Sequence, residues 1–124
     1  MGIPERDGPI VVVDDDASVR AAVYGVLESV GLSAQSFASA EAFLSSDVLD
    51  ETVCVITDLK MPGMSGLQLQ QELIKRGSRV PVIFISAHRA DADRERALGA
   101  GAAAFLDKPF DDELLIQTVR NTLV

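Results

Sequence analysis

Along this chain, short apolar runs alternate with stretches whose apolar residues recur at every third or fourth position. The apolar runs are Ile10–Val13, Val53–Thr57, Val82–Ile85 and Ala103–Leu106. Their near-continuous hydrophobicity suits strands covered on both faces, and Val53–Thr57 reads as a central one. Ala34–Phe37 is a further short strand. Strands that alternate with helical patterns predict βαβ units and a parallel sheet.

The first helix opens at Asp16, a suitable N-cap, and sets Val19, Val23, Val26, Leu27 and Val30 on one face until Gly31 stops it. Ser39 caps a short helix that runs through Leu44, and residues 46–52 read as a polar loop. Met61–Gly66 is rich in turn formers. A helix then runs to about Arg76, with Leu67, Leu69, Leu73 and Ile74 as its apolar residues and Gly77 as its stop. The helix after Ala90 is poor in large apolar groups: Ala92, Ala97 and Leu98 are its main ones. Asp111 caps the last helix, whose first turn holds Asp112 and Glu113, favourable to the helix dipole, and whose Leu115 and Val119 face the core. The total is five strands and five helices, with no internal repeat.

Composition narrows the class. The 124 residues fit one domain over 1–124, with a flexible tail at 1–8. Hydrophobic residues make up 48% but aromatic ones only 5%, so the core must be aliphatic. A net charge of -8 disfavours direct nucleic-acid binding. Cys54, the single cysteine, sits within an apolar run and reads as a small buried hydrophobe. No stretch approaches the ~20 apolar residues of a membrane span, and the polar N-terminus lacks a signal-peptide core. The expectation is a soluble, cytoplasmic chain that engages no membrane.

The candidate chemistry stands at the strand ends. Asp14-Asp15-Asp16 follows the first run, Asp58 the third and Ser86 the fourth, while Lys108 comes just after the fifth. If the strands are parallel, these groups share one edge of the sheet, where α/β folds bind ligands. At ~5 Å and an effective dielectric of ~20, each pair of carboxylates repels by roughly 3 kcal/mol. One lysine cannot offset three such pairs, so a carboxyl pKa rises or a divalent cation binds. An all-oxygen, few-ligand site favours Mg²⁺. Taken singly, Asp16 reads better as a helix cap than as a ligand. His88 has no second His or free Cys nearby to make it a metal site, and Met61 and Met64 read as loop packing. Pro109 fixes the backbone beside Lys108 and is compatible with a cis bond.

Four segments in order, VVVDDD, TDLKMPGMSGLQL, VIFISAH and AAAFLDKPF, resemble the receiver domain of bacterial response regulators. The resemblance runs from about Ile10 to Leu123 and leans toward regulators of the nitrogen-fixation type with a C-terminal helix-turn-helix domain. It implies a flavodoxin-like (βα)5 fold, a doubly wound five-stranded parallel sheet of order 2-1-3-4-5 in a three-layer sandwich. It also implies that Asp58 is the phosphoacceptor, that Asp15 binds Mg²⁺ directly and Asp14 through water, and that the Lys60 backbone carbonyl completes the protein ligands, with Mn²⁺ as a substitute ion. Ser86 and Lys108 would contact phosphoryl oxygens, and Ser86 with Phe105 would form the switch pair. Phe105 lacks the phenol that many relatives carry, and Asp16 stands where many have Glu.

Such a domain switches rather than catalyses, apart from its own phosphorylation and dephosphorylation. Its donor would be a sensor histidine kinase or a phosphotransfer protein. Its output, control of transcription, would run through an attached or partner domain, with a homodimer across the face of residues 90–120. Two other readings remain open at this point. A small phosphohydrolase of the haloacid-dehalogenase kind would use Asp14 as nucleophile within Asp14-x-Asp16. A degenerate receiver would serve only as a docking surface, against which the full set Asp14, Asp15, Asp58, Ser86 and Lys108 argues.

Overall fold

The computed structural model describes residues 8–87 and 91–123. Most of the expected tail, together with His88 and Ala90, lies outside these described residues. The elements alternate strictly: β1 (Ile10–Val13), α1 (Ala17–Ser29), β2 (Ala34–Phe37), α2 (Ala40–Leu44), β3 (Cys54–Asp58), α3 (Gly66–Lys75), β4 (Val82–Ser86), α4 (Asp91–Gly99), β5 (Ala104–Asp107) and α5 (Asp112–Leu123). All four strand pairings are parallel and the order is β2-β1-β3-β4-β5. The flavodoxin-like order implied by the resemblance is therefore the observed one.

Period-two alternation along the strands builds two cores. Val11, Val13, Val55 and Phe84 face α2, α3 and α4, where they meet Phe43, Leu69, Leu73 and Ala97. Ile10, Val12, Ile56, Ile83 and Ile85 face α1 and α5, where they meet Val23, Leu27, Leu115 and Val119. These are the three layers. Cys54 is fully buried in the second core, as its apolar surroundings predict.

Local chemistry sets the helix ends. The Asp16 carboxylate accepts from the backbone N–H groups of Ser18 and Val19 at 2.8 and 3.4 Å, so its role is that of a cap. Ser39 accepts from Ala42 N–H at 3.1 Å, and Asp111 accepts from Glu113 N–H at 3.2 Å. Ser65 and Gln68 form a capping box at the start of α3. Gly31 and Gly77 take φ of 82° and 80° just beyond α1 and α3, conformations that admit glycine most easily.

Several boundaries differ from the sequence expectation. β3 and β5 each sit one residue later, and β4 extends one residue further, to Ser86. Backbone pairing decides these ends, and it continues through polar Asp58 opposite Ile85 and through Ser86 opposite Asp107. The expected loop at 46–52 contains a 3-10 turn at Leu49–Glu51. Ile74, assigned to the apolar face of α3, is half exposed, and buried Gln70 takes the inward position instead. In α4, Ala97 alone of the three expected apolar residues is buried.

Candidate functional site

The register turns four separated segments into one pocket. Val13 lies opposite Thr57, Asp58 opposite Ile85, and Ser86 opposite Asp107. The residues at or just beyond these pairs, Asp14, Asp15, Asp58, Ser86 and Lys108, share the carboxyl edge of the sheet where the strand order reverses between β1 and β3.

Lys108 is the hub. Its Nζ lies 3.3 Å from Asp14 Oδ2 and 3.3 Å from Asp58 Oδ2. Asp14 is fully buried; its Oδ1 accepts from Asp16 N–H at 2.9 Å. The Arg20 guanidinium, one turn into α1, donates to the Asp14 backbone carbonyl at 2.7 Å and fixes the loop between β1 and α1. Asp58 Oδ1 accepts from the N–H of Leu59 at 2.7 Å. Asp15 is exposed, yet one of its oxygens lies with those of Asp14 and Asp58 in a triad whose ligand atoms are all within 4.8 Å of one another. Ser86 is fully buried at the end of β4, and its carbonyl accepts from Lys108 N–H at 2.8 Å. The Lys108–Pro109 bond is cis.

Electrostatics follow from burial. The Asp14 carboxyl is held above the usual carboxylate range, first by desolvation and further by the Asp58 charge; its hydrogen bond with Asp16 and the Lys108 ammonium oppose the rise without cancelling it. Desolvation works against the Lys108 ammonium, but the carboxylates of Asp58 and Asp14 outweigh it, so its pKa lies above the ordinary lysine value. The donor set fits a hard divalent cation: three carboxylates, all oxygen, with one of them open to solvent.

Some neighbours carry no signal in the sequence. Glu41, on α2, accepts from Met64 N–H at 2.9 Å and so ties down the Met61–Gly66 loop beside Asp58. A methyl group at Gly66 would overlap the Asp58 carbonyl, so only glycine lets α3 begin so close to the site. The glycine was visible as a turn former, but its close approach was not. Gln70 donates to the Ala97 carbonyl at 3.0 Å and joins α3 to α4. Lys60 points its side chain outward, with Nζ 3.9 Å from Asp93 Oδ2. Met61 is buried and Met64 half-buried against the core around Phe43, in keeping with loop packing.

Phe105 is the ring that the resemblance implies would join Ser86 in the switch pair. It is already buried, stacked on Phe84 with centroids 6.0 Å apart. The phosphohydrolase reading loses its second carboxylate, because Asp16 is committed to capping α1.

A five-stranded (βα)5 domain with an acidic pocket and a lysine at its carboxyl edge defines a narrow class. The family description of the response regulator receiver domain matches residues 10–120. The chain belongs to that family. It is 44% identical over 115 residues to the transcriptional regulatory protein FixJ of Azorhizobium caulinodans, which covers 93% of this chain and 54% of that protein. It is 39% identical over 119 residues to the response regulator protein TodT of Pseudomonas putida, covering 96% and 52%. The chain thus spans about half the length of these relatives. The crystal structure of FixJ-N superposes with a TM-score of 0.84 at 34% identity, covering 94% of this chain and 93% of that one. None of these likenesses points to a haloacid-dehalogenase hydrolase, and that alternative is set aside. Among the described residues, no helix is long and apolar enough to cross a membrane.

Proposed function

We propose that this chain is the phosphoacceptor switch of a histidine-to-aspartate relay, with Asp58 as the acceptor. One observation carries the reading: Lys108 bridges Asp14 and Asp58 at the sheet edge, with Asp15 beside them. An acceptor carboxylate needs its oxygen open, its charge balanced and its neighbours fixed. Asp58 is half-buried, pinned through Oδ1 by Leu59 N–H, and its Oδ2 faces the ammonium.

In this reading an Asp58 oxygen forms the new bond to phosphorus, and the bond from phosphorus to the donor breaks. Lys108 then exchanges its Asp58 contact for a phosphoryl oxygen, and the Ser86 hydroxyl takes another. Asp14, Asp15 and Asp58 would hold Mg²⁺, with the Lys60 backbone carbonyl as a further ligand. Bound there, Mg²⁺ would offset the carboxylate and phosphoryl charges. Mn²⁺, also an oxygen-seeking ion, would substitute.

The domain acts on itself alone: it takes up a phosphoryl group and loses it, and it turns over no other substrate. Its donor is a sensor histidine kinase or a phosphotransfer protein, and residues 10–123 act as one receiver unit. FixJ is named as a transcriptional regulator. By analogy, the output here is control of transcription through an attached or partner domain, with homodimerisation across the face of residues 90–120, in the cytoplasm.

Intact-mass measurement after incubation with acetyl phosphate and Mg²⁺ tests the reading. Wild type should gain one phosphoryl group, while Asp58→Asn, or wild type in EDTA, should gain none. Full uptake by Asp58→Asn, or uptake indifferent to EDTA, would overturn it.

A further inference from the structure

The Phe105 ring is held from two sides. On the inside it stacks on Phe84, with the ring planes at 25°. On the outside the Arg94 guanidinium of α4 lies over it, the guanidinium carbon 5.4 Å from the ring centroid. The same guanidinium stands 3.8 Å from an oxygen of Asp107. Residues 105 and 107 are two apart on a strand and so point to the same face of the sheet. One α4 side chain therefore spans two neighbouring positions of β5.

Among the described residues, α4 has little else at that end. It buries Ala97 alone, near its C-terminus, where Gln70 donates to the Ala97 carbonyl. The earlier part of the helix rests on charged contacts: Asp93 with Lys60, and Arg94 with Asp107 and the Phe105 ring. Of these, only the ring contact touches a group that would move in switching.

We propose that Arg94 is the positioning residue for the Phe105 ring, holding it inward before any phosphoryl group arrives. The inference rests on the reading of Asp58 as phosphoacceptor and Phe105 as the moving ring. A planar cation on an aromatic face attracts the ring only while that face is presented to it. At a partly exposed site this attraction shifts the ratio of inward to outward ring by about two- to fivefold. Phosphorylation then reinforces a conformation that Arg94 already favours, and the identity of residue 94 sets how much signal-independent activity the domain shows.

The test is ¹⁹F NMR of the full chain carrying 4-fluorophenylalanine at its five phenylalanines. Phe105→Leu assigns the Phe105 resonance, and unchanged Phe37 and Phe43 signals report an intact fold. Without a phosphodonor, Arg94→Gln should move the Phe105 signal toward the outward environment by a two- to fivefold population change, and Arg94→Lys should restore part of it. Asp107→Ala, which spares the ring contact, should shift it less. Acetyl phosphate with Mg²⁺ should return the Arg94→Gln ring inward. A Phe105 signal in Arg94→Gln that superimposes on wild type would overturn the inference, as would an equal or larger shift in Asp107→Ala. If Arg94→Gln moves the ring but no chain takes up phosphoryl, the Arg94 contact stands and the phosphoacceptor reading falls.

Discussion

Asp14 is fully buried beside a second carboxylate, and its raised pKa is chiefly a consequence of that burial. In the unfolded chain it titrates near 3.8. A carboxyl whose folded pKa lies above its unfolded one lowers stability when ionised. That loss is absent below the unfolded value, grows as pH rises through the interval up to the folded value, and is complete above it. Asp14→Asn should therefore raise the melting temperature at neutral pH in metal-free buffer, with the gain disappearing as pH falls toward 3.8. The same variant should bind Mg²⁺ more weakly, so thermal melts with and without Mg²⁺ should shift in opposite directions relative to wild type. Asp15→Ala should weaken Mg²⁺ binding more than Asp14→Ala if, as the family resemblance implies, Asp15 makes the direct bond; a titration compares them. Gly66→Ala should cost about 1–3 kcal/mol in denaturant unfolding, because a methyl group there overlaps the Asp58 carbonyl. It should also weaken Mg²⁺ binding, because that carbonyl belongs to the site residue itself.

The helices differ in what holds them, and the difference was partly legible beforehand. α5 shows Leu115 and Val119 at helical spacing, and both are fully buried. Leu115→Ala should cost about 2–5 kcal/mol in equilibrium unfolding. α4 shows few apolar residues, and it buries only Ala97. Leu98, which is 42% exposed, should tolerate alanine within about 0.5 kcal/mol. Hydrogen exchange should accordingly be faster in 91–99 than in α1 or α5, since local opening follows shallow burial. What the sequence hid lies in contacts between separate segments of the chain. Glu41 on Met64 N–H, Gln70 on the Ala97 carbonyl and Arg94 over Phe105 each join residues from different elements. No periodicity within one helix announces which polar residue will reach across. Ile74 and Gln70 show the same limit: both fall near the inner face of α3, and packing against α4 selects the amide.

At the scale of the molecule, alternating patterns and polar residues at strand ends were enough to place the pocket. Parallel pairing compels those ends to lie together, and strand order decides which of them meet. The order β2-β1-β3-β4-β5 sets β1 beside β3, so that Asp14 and Asp58 face one lysine. Repeating units alone did not determine that order; it came with the resemblance carried by the strand-end motifs. The central claim is that one of these carboxylates, Asp58, is the acceptor, and the chemistry of acyl phosphates tests it directly. After incubation with acetyl phosphate and Mg²⁺, borohydride reduces a phosphoaspartate to homoserine, and peptide mass mapping locates it. The expected result is homoserine at position 58 and at no other aspartate. Homoserine at position 14, or at none, would contradict the account.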